Sequence, residues 1–136
     1  MTPTSYRLLS LLLFPAGALA TTFSAASQTF AAGLNIPAGM DAVVLDDCEI
    51  VGQLKFTTVN SGGTVDIKNS RVTHTLRAIF FSSAFTNVAI TIADSDVTAS
   101  SEYVIMFDAT QTNSPLTITG STITGKGGAS NGGIYL

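Results

Sequence analysis

The stretch Val65-Asp66-Ile67-Lys68-Asn69-Ser70-Arg71-Val72 carries the pattern that decides the fold of this 136-residue chain. Apolar side chains occupy its first, third and eighth positions, and a small polar pair occupies the fifth and sixth. The same pattern recurs at 43–50, 90–97 and 116–123. Self-similarity at a spacing of a few tens of residues is typical of a solenoid, in which each repeat forms one turn of the chain.

Within the repeat, a strand is followed by a corner. Alternation of apolar and polar residues up to Lys68 predicts a β-strand with one buried face. The pair Asn69-Ser70 interrupts the alternation before Val72 points inward again, so the chain must turn across two residues. Small polar residues suit such a corner because they tolerate unusual backbone angles and bond to nearby amides. The predicted corner column is Asp47, Asn69, Asp94 and Gly120. The next column is Cys48, Ser70, Ser95 and Ser121.

The third position of each repeat predicts a single buried file of side chains. Its members are Leu45, Ile67, Ile92 and Ile118, separated by 22, 25 and 26 residues. Each repeat also has a second apolar run further along, at 54–56, 78–81, 104–107 and 134–136. If the repeats stack as parallel strands, equivalent residues lie one strand spacing apart, about 4.8 Å.

Charged residues at the outward positions favour the same register. Asp46 is expected beside Lys68, and Glu49, Arg71 and Asp96 are expected to form a column of alternating sign. Opposite charges on neighbouring strands favour pairing, whereas like charges oppose it. Each exposed pair contributes only about 0.2–1 kcal/mol. The columns therefore indicate the register of the strands but contribute little to the stability of the fold.

The repeat resembles the coils of a right-handed parallel β-helix, the pectin-lyase-like fold, from about residue 43 to residue 136. The prediction is an all-β solenoid of about four coils over 42–136. An antiparallel sandwich is the alternative, since evenly spaced short strands with turn signals also suit that fold. A sandwich, however, has no need to place the same residue class at the same offset in every repeat.

Composition and charge limit the classes of function. A hydrophobic fraction of 46% and a charged fraction of 11% exclude a disordered tail, and the length allows one domain. The formal net charge is −3 and the chain has no runs of like charge, which argues against nucleic acid as a partner. We therefore expect no nucleic-acid interface.

The first twenty residues, 1–20, read as a secretory signal peptide. Arg7 precedes an apolar run at 8–14, and Ala18-Leu19-Ala20 offers a small-residue cleavage site. The apolar run is too short to span a bilayer, so no membrane span is expected in this chain. Residues 21–41 are expected to be a lead-in or an N-terminal cap, in which 34–36 could be a partial coil.

At the other end, the sequence reaches residue 136 inside an apolar strand, so no C-terminal cap is expected. Solenoids need polar caps, and an uncovered strand edge invites association. The interpretation is a fragment of a longer solenoid or a truncated product. The expected partners of this end are further coils of the same protein or a second copy joined edge to edge.

Two residues with chemical potential have simple structural interpretations. Cys48 is the only cysteine, so no internal disulfide forms, and its serine column-mates favour a small buried residue over a reactive thiol. His74 follows the corner of its repeat and is expected to be a solvated loop histidine. We assign no catalytic, cofactor-binding or metal-binding residues and no cofactor.

The pectin-lyase-like resemblance implies a polysaccharide-acting enzyme as one alternative. Lyases of that fold need clustered acidic calcium ligands beside an Arg or Lys base, and its hydrolases need a Gly-His-Gly and an Arg-x-Lys. The charged residues expected to share one wall are Asp46, Asp47, Asp66, Lys68 and Arg71. Charge columns already account for these residues, as corner and column positions do for Asp94 and Asp96, and neither motif occurs. We therefore predict that the chain is not an enzyme.

The repeat at 43–50, Val43-Val44-Leu45-Asp46-Asp47-Cys48-Glu49-Ile50, is most similar to repeats of the dispersed gene family surface proteins of kinetoplastids. Those proteins are very large and β-helical, are thought to act in adhesion, and have membrane spans that this chain lacks. Autotransporter-type adhesins share the repeat pattern. The resemblance implies a secreted or cell-surface, non-catalytic module that contacts host proteins or glycans. The alternative is a truncated polysaccharide lyase or glycoside hydrolase of the pectin-lyase-like fold.

Overall fold

The computed structural model describes residues 8–13, 19–125 and 133–136, with side chains at 20–125 and 133–136. All regular secondary structure in these ranges is β-strand. In chain order the strands are β1 (Leu8–Leu13), β2 (Leu19–Ala26), β3 (Thr29–Phe30), β4 (Leu34–Ile36), β5 (Met40–Asp46), β6 (Glu49–Val51), β7 (Leu54–Phe56), β8 (Val59–Lys68), β9 (Arg71–His74), β10 (Ile79–Phe81), β11 (Ala89–Ala93), β12 (Asp96–Ala99), β13 (Ile105–Phe107), β14 (Leu116–Thr119), β15 (Thr122–Gly125) and β16 (Ile134–Tyr135).

The strands form three sheets that wrap around one core. The first sheet has the order β1-β2-β5-β8-β11-β14, the second β3-β6-β9-β12-β15, and the third β4-β7-β10-β13-β16. Only β1 pairs antiparallel to its neighbour among these described strands; the other pairings are parallel. Each turn of the chain therefore adds one strand to each sheet, and we call such a set of three strands a rung. The predicted parallel β-solenoid is confirmed, and the sandwich alternative is wrong.

The predicted register is confirmed strand by strand. Leu45, Ile67, Ile92 and Ile118 are direct neighbours across β5, β8, β11 and β14. The second apolar runs align in the same way in the third sheet. The structure extends the file to Ala25 of β2, which pairs with Leu45. Residues 19–36, which overlap the expected lead-in, thus place one strand in each sheet and form a rung of their own.

An aromatic stack fills the core behind the third sheet. The ring of Phe81 lies between those of Phe56 and Phe107, with centroid distances of 4.8 and 4.4 Å and interplanar angles of 16° and 4°. Phe85 meets the Phe81 ring edge-on at 5.4 Å. The stack follows from the register, because parallel strands place inward side chains at about the strand spacing, 4.8 Å. Aromatic pairs of this kind contribute about 0.5–1.5 kcal/mol beyond their buried area.

Close backbone approach explains one glycine pair at the second corner, between the second and third sheets. A Cβ on Gly52 would lie 2.6 Å from the backbone nitrogen of Gly33, and Gly52 has a φ of +133°. Any side chain here would force the two rungs apart. Glycine is therefore required by both space and backbone conformation.

The predicted signal peptide is only partly covered by the structure. Residues 1–7 and 14–18 lie outside the described residues, and the backbone of β1, which includes most of the apolar run, pairs with β2. Export therefore stays a prediction. In the described part of the chain, no helix is long and apolar enough to cross a membrane.

Removing the middle ring of the aromatic stack tests the packing of the core. We expect Phe81→Ala to lower the free energy of unfolding by about 3–5 kcal/mol, because the ring is fully buried and its neighbours are held in place by the sheet. Urea denaturation followed by circular dichroism measures this loss. Thr73→Ala, at an exposed position of the second sheet, is the control and should change the value by less than about 0.5 kcal/mol. Similar losses in the two variants would contradict the stack.

Candidate functional site

The first corner, between the first and second sheets, brings together most of the residues that the sequence singles out. Its column of corner residues has φ values in the left-handed region. The members and their φ values are Ser27 (52°), Asp47 (54°), Asn69 (48°), Asp94 (49°) and Gly120 (55°). Asn, Asp and Gly are the residues that adopt this conformation most readily. The predicted corner is confirmed and extends by one rung to Ser27.

The residues that follow the corner form a hydrogen-bonded column, the corner ladder, which consists of the buried Cys48, Ser70 and Ser95 and the partly buried Ser121. The backbone N–H groups of Cys48, Ser70 and Ser95 each donate to the side-chain Oγ of the serine on the next rung, at 3.1 Å. Each serine hydroxyl in turn donates to the carbonyl oxygen two residues earlier, at 2.7–2.8 Å. The ladder therefore supplies acceptors to backbone amides at a buried turn, where an unpaired N–H is costly.

Cys48 begins the corner ladder and is buried, as the sequence predicts. Its Sγ lies 3.4 Å from the carbonyl oxygen of Ala25 and 3.5 Å from that of Asp46. Burial raises the pKa of the Cys48 thiol, and the negative charges of Asp47 and Asp46 add to the increase. A raised pKa keeps the thiol protonated at neutral pH, whereas nucleophilic attack needs the thiolate. The geometry favours a structural role for Cys48.

Both predicted charge columns are confirmed. Lys68 Nζ lies 3.6 Å from Asp46 Oδ2, and Arg71 Nε lies 4.0 Å from Asp96 Oδ2. Glu49 lies directly across from Arg71 in the register of β6 and β9. The paired side chains are about half exposed, so each pair stabilises the fold only slightly. These pairs offset only part of the negative charge around the corner, where Asp47 and Asp94 also lie.

One expectation about these charges is wrong. The charged residues that the sequence places on one wall are divided by the corner: Asp46, Asp66 and Lys68 lie on the first sheet, Asp47 at the corner itself, and Arg71 on the second sheet. The chain changes direction between Lys68 and Arg71, so the side chains before and after the corner face different ways. A groove of about 560 Å³ follows the corner column, lined by the corner residues and by the first residues of the second-sheet strands, Arg71 and Asp96 among them.

The expectation for His74 also needs correction. His74 is the last residue of β9 and pairs with Ala99 of β12, so it lies in a strand and not in a loop. Its Nδ1 accepts a hydrogen bond from the backbone N–H of Leu76 at 3.2 Å. That hydrogen bond lies within the turn that follows the strand. No group of three or more His, Cys, Asp or Glu residues within the described ranges could hold a metal ion.

The outer surface of the third sheet forms a site that the sequence reading misses. Its central file consists of Lys55, Phe80, Met106 and Tyr135, which are successive neighbours in the register of β7, β10, β13 and β16. Arg77, Glu102 and Tyr103 flank this file. We call these seven residues the third-sheet face.

Contacts within the third-sheet face hold a guanidinium group against an aromatic ring. The Arg77 Cζ lies 4.8 Å from the centroid of the Phe80 ring, and the Lys55 Nζ lies 5.9 Å from it. Arg77 Nη1 lies 3.9 Å from Met106 Sδ, and Arg77 Nε lies 3.2 Å from Glu102 Oε2. Cations within about 6 Å of a ring centroid are attracted by the ring quadrupole. Arg77 is thus fixed by three different side chains.

The far end of the face is aromatic and the near end is positive. Tyr103 and Tyr135 lie with ring centroids 4.8 Å apart, and Tyr135 is exposed. Lys55 makes no ion pair with any described carboxylate, in contrast to Lys68, Arg71 and Arg77. The sequence offered one signal for this surface, because Ile79-Phe80-Phe81 and Ile105-Met106-Phe107 are apolar at the outward position as well as the inward ones.

Comparison of the chain with protein-family models, with curated proteins and with solved structures gives no match. The class of the protein is therefore defined by its geometry, which is that of an all-β parallel solenoid.

Replacing one serine tests the corner ladder. We expect Ser70→Ala to lower the free energy of unfolding by about 1–3 kcal/mol, because the N–H of Cys48 would be buried without an acceptor. Ser121→Ala is the matched control: this hydroxyl makes the same bonds on the last rung but is more exposed, so water can replace it. Urea denaturation of both variants measures the difference. Equal losses would show that burial of the ladder has no energetic consequence.

Proposed function

We propose that this chain is a secreted or cell-surface, non-catalytic β-solenoid module that contacts extracellular proteins or glycans through the third-sheet face. The observation that carries the proposal is the outward file of Lys55, Phe80, Met106 and Tyr135, which brings a cation, a thioether and two aromatic rings together on successive rungs. Aromatic residues, Met and Arg are the residue types enriched where protein surfaces bind partners. The third-sheet face contains all of them.

The rigidity of the face supports a role in binding. Its strands pair on both sides within the third sheet at β7, β10 and β13, so the side chains project from a fixed backbone. Arg77 is already oriented by Phe80 and Glu102. A surface held in place before contact loses little conformational entropy on binding. Partners would be recognised by side chains, since the backbone groups of these strands are already paired.

The arrangement of charges supports a non-catalytic role. A lyase of this fold would need a Lys or Arg beside an acidic cluster and available to take a proton. Lys68 and Arg71 lie on different sheets, and each pairs with a carboxylate of a neighbouring rung. The charged residues at the corner groove therefore have structural roles, in cross-strand pairing and in the turn. A polysaccharide lyase or glycoside hydrolase remains the alternative function.

The adhesive part of the proposal draws on the repeat pattern. The resemblance of 43–50 to the surface proteins of the dispersed gene family, together with the signal-like sequence at 1–20, supports a position outside the cell. In this proposal the solenoid is a rigid spacer, and the third-sheet face is its binding surface. Its charged first corner keeps it soluble, and the third-sheet face makes the contact.

Paired variants of the third-sheet face test the contact. The purified chain is screened against arrays of extracellular glycans and proteins, and the affinity for any ligand is measured by calorimetry. We expect Phe80→Ala and Lys55→Gln each to weaken binding at least about tenfold, which corresponds to about 1.4 kcal/mol. Val51→Ala, an exposed apolar residue of the second sheet, is the control and should bind like the parent chain.

Two results would contradict this proposal. Ligand binding that is unchanged in both face variants would place the contact elsewhere. Formation of unsaturated product from polygalacturonate, with or without calcium, would show that the chain is an enzyme and favour the alternative.

Export is tested in a secretion-competent host. We expect the chain in the medium to begin at Thr21, as measured by N-terminal sequencing, because Ala18-Leu19-Ala20 provides the cleavage site. Leu11→Arg, which interrupts the apolar run, should retain the chain inside the cells, whereas Thr73→Arg should be exported normally. A secreted chain that still begins at Met1 would contradict the signal peptide.

A further inference from the structure

Met106 lies at the centre of the third-sheet face, where its side chain points outward from β13 and is partly exposed. In the register of the sheet its neighbours are Phe80 on one side and Tyr135 on the other. The chain has two other methionines, Met1 and Met40. Met1 lies outside the described residues, and Met40 belongs to the buried core, with only 8% of its surface exposed. Of the two described methionines, Met106 is therefore the one that solvent reaches.

The sulfur atom of Met106 has a guanidinium group beside it. Arg77 Nη1 lies 3.9 Å from Met106 Sδ, within range of a weak hydrogen bond from the guanidinium N–H to the thioether. Arg77 is held in this position by the Phe80 ring, 4.8 Å from its Cζ, and by Glu102 Oε2, 3.2 Å from its Nε. A guanidinium has five N–H donors, and a thioether is a weak acceptor. A stronger acceptor on the Met106 sulfur would therefore have a charged donor already in place.

Oxidation of the thioether supplies such an acceptor. A peroxide transfers one oxygen atom to the sulfur, so that the O–O bond breaks, an S–O bond forms and the sulfur loses two electrons. The second oxygen of hydrogen peroxide leaves as hydroxide and takes the proton of the transferred oxygen, which gives water. The product is methionine sulfoxide, a polar side chain that methionine sulfoxide reductases return to the thioether.

The sulfoxide oxygen fits the space between the sulfur and the guanidinium. A charge-assisted N–H···O hydrogen bond is about 2.7–2.9 Å long, which is shorter than the present distance of 3.9 Å between Arg77 Nη1 and Met106 Sδ. An oxygen atom bonded to Sδ therefore reaches Nη1 after a small rotation of the flexible methionine side chain. The fold tolerates this change, because Met106 points away from the core while Ile105 and Phe107 on either side of it are buried.

We propose that Met106 is a reversible oxidation site for peroxides, and that Arg77 holds the sulfoxide oxygen by a charge-assisted hydrogen bond. The consequence for binding rests on the function proposed above. Oxidation places a polar group at the centre of the third-sheet face and draws the guanidinium from the Phe80 ring towards Met106. Because residues at the centre of an interface carry most of the binding energy, the oxidised face binds a partner more weakly.

Peptide mass mapping of the purified, folded chain after brief treatment with hydrogen peroxide tests the site. We expect the Met106 peptide to gain one oxygen atom at least about ten times faster than the Met40 peptide, because oxidation follows exposure. The urea-unfolded chain is the control, in which both peptides should react at similar rates. The two methionine sulfoxide reductases, one for each sulfoxide epimer, should remove the oxygen from Met106. Equal rates in the folded chain, or a sulfoxide that neither reductase removes, would overturn the proposed site.

The part of Arg77 is measured by combining oxidation with substitution. We expect oxidation to raise the unfolding equilibrium constant of Arg77→Leu at least about threefold more than that of the parent chain, because leucine cannot donate to the sulfoxide. Arg71→Leu, on the second sheet, is the matched control and should respond to oxidation like the parent. Met106→Leu should not respond to peroxide. Circular dichroism first confirms that each variant is folded, and Arg77→Ala is a second variant without a donor. An equal response of the parent and both Arg77 variants would overturn the role of Arg77.

Failure of this inference and failure of the proposed function give different results. For a glycan or protein identified in the array screen, we expect peroxide to weaken binding to the parent chain at least about threefold and to leave the affinity of Met106→Leu unchanged. Unchanged affinity after complete oxidation of Met106 would overturn the effect on binding, whereas the contact itself is tested by Phe80→Ala and Lys55→Gln. Oxidation confined to Met106 in a chain whose binding ignores both of those variants would support the oxidation site and contradict the proposed function.

Discussion

Hydrogen bonding between successive rungs is the constraint on which the rest of this structure depends. In a parallel solenoid the N–H and C=O groups of one rung have their partners on the next, so the register of one strand pair is repeated in all three sheets. Equivalent side chains must then lie above one another at the strand spacing. The aliphatic file through Leu45 and Ile67 and the rings of Phe56, Phe81 and Phe107 are the direct result.

The first corner shows how this constraint selects residues outside the core. A turn that recurs at the same place in every rung needs a residue that tolerates a positive φ, and Asn69 and Asp94 provide it. The following residue must be small and must accept the amide hydrogen of the rung before. Ser70 and Ser95 do this with one hydroxyl each, while donating the hydroxyl proton to a nearby carbonyl. The corner is thus stabilised by polar groups that are buried but satisfied.

The same stacking gives the three sheets different outer surfaces. On the first two sheets it places opposite charges side by side, as in the Lys68 and Arg71 pairs. On the third sheet it places Phe80 beside Met106, with Arg77 lying across both, and this is the surface on which the proposed contact depends.

The sequence by itself determined the strands of the four repeats, their register, the first corner and both charge columns, because each is a local pattern repeated at the same offset. It did not reveal the rung at 19–36, where Ala25 and Ser27 stand at positions that later rungs fill with Leu or Ile and with Asp, Asn or Gly. It also placed Arg71 on the wrong wall. Only the tertiary structure decided the third-sheet face, since Arg77 reaches Met106 and Glu102 from 29 and 25 residues away. Such contacts depend on the path of the chain between strands, and that path leaves no periodic pattern to read.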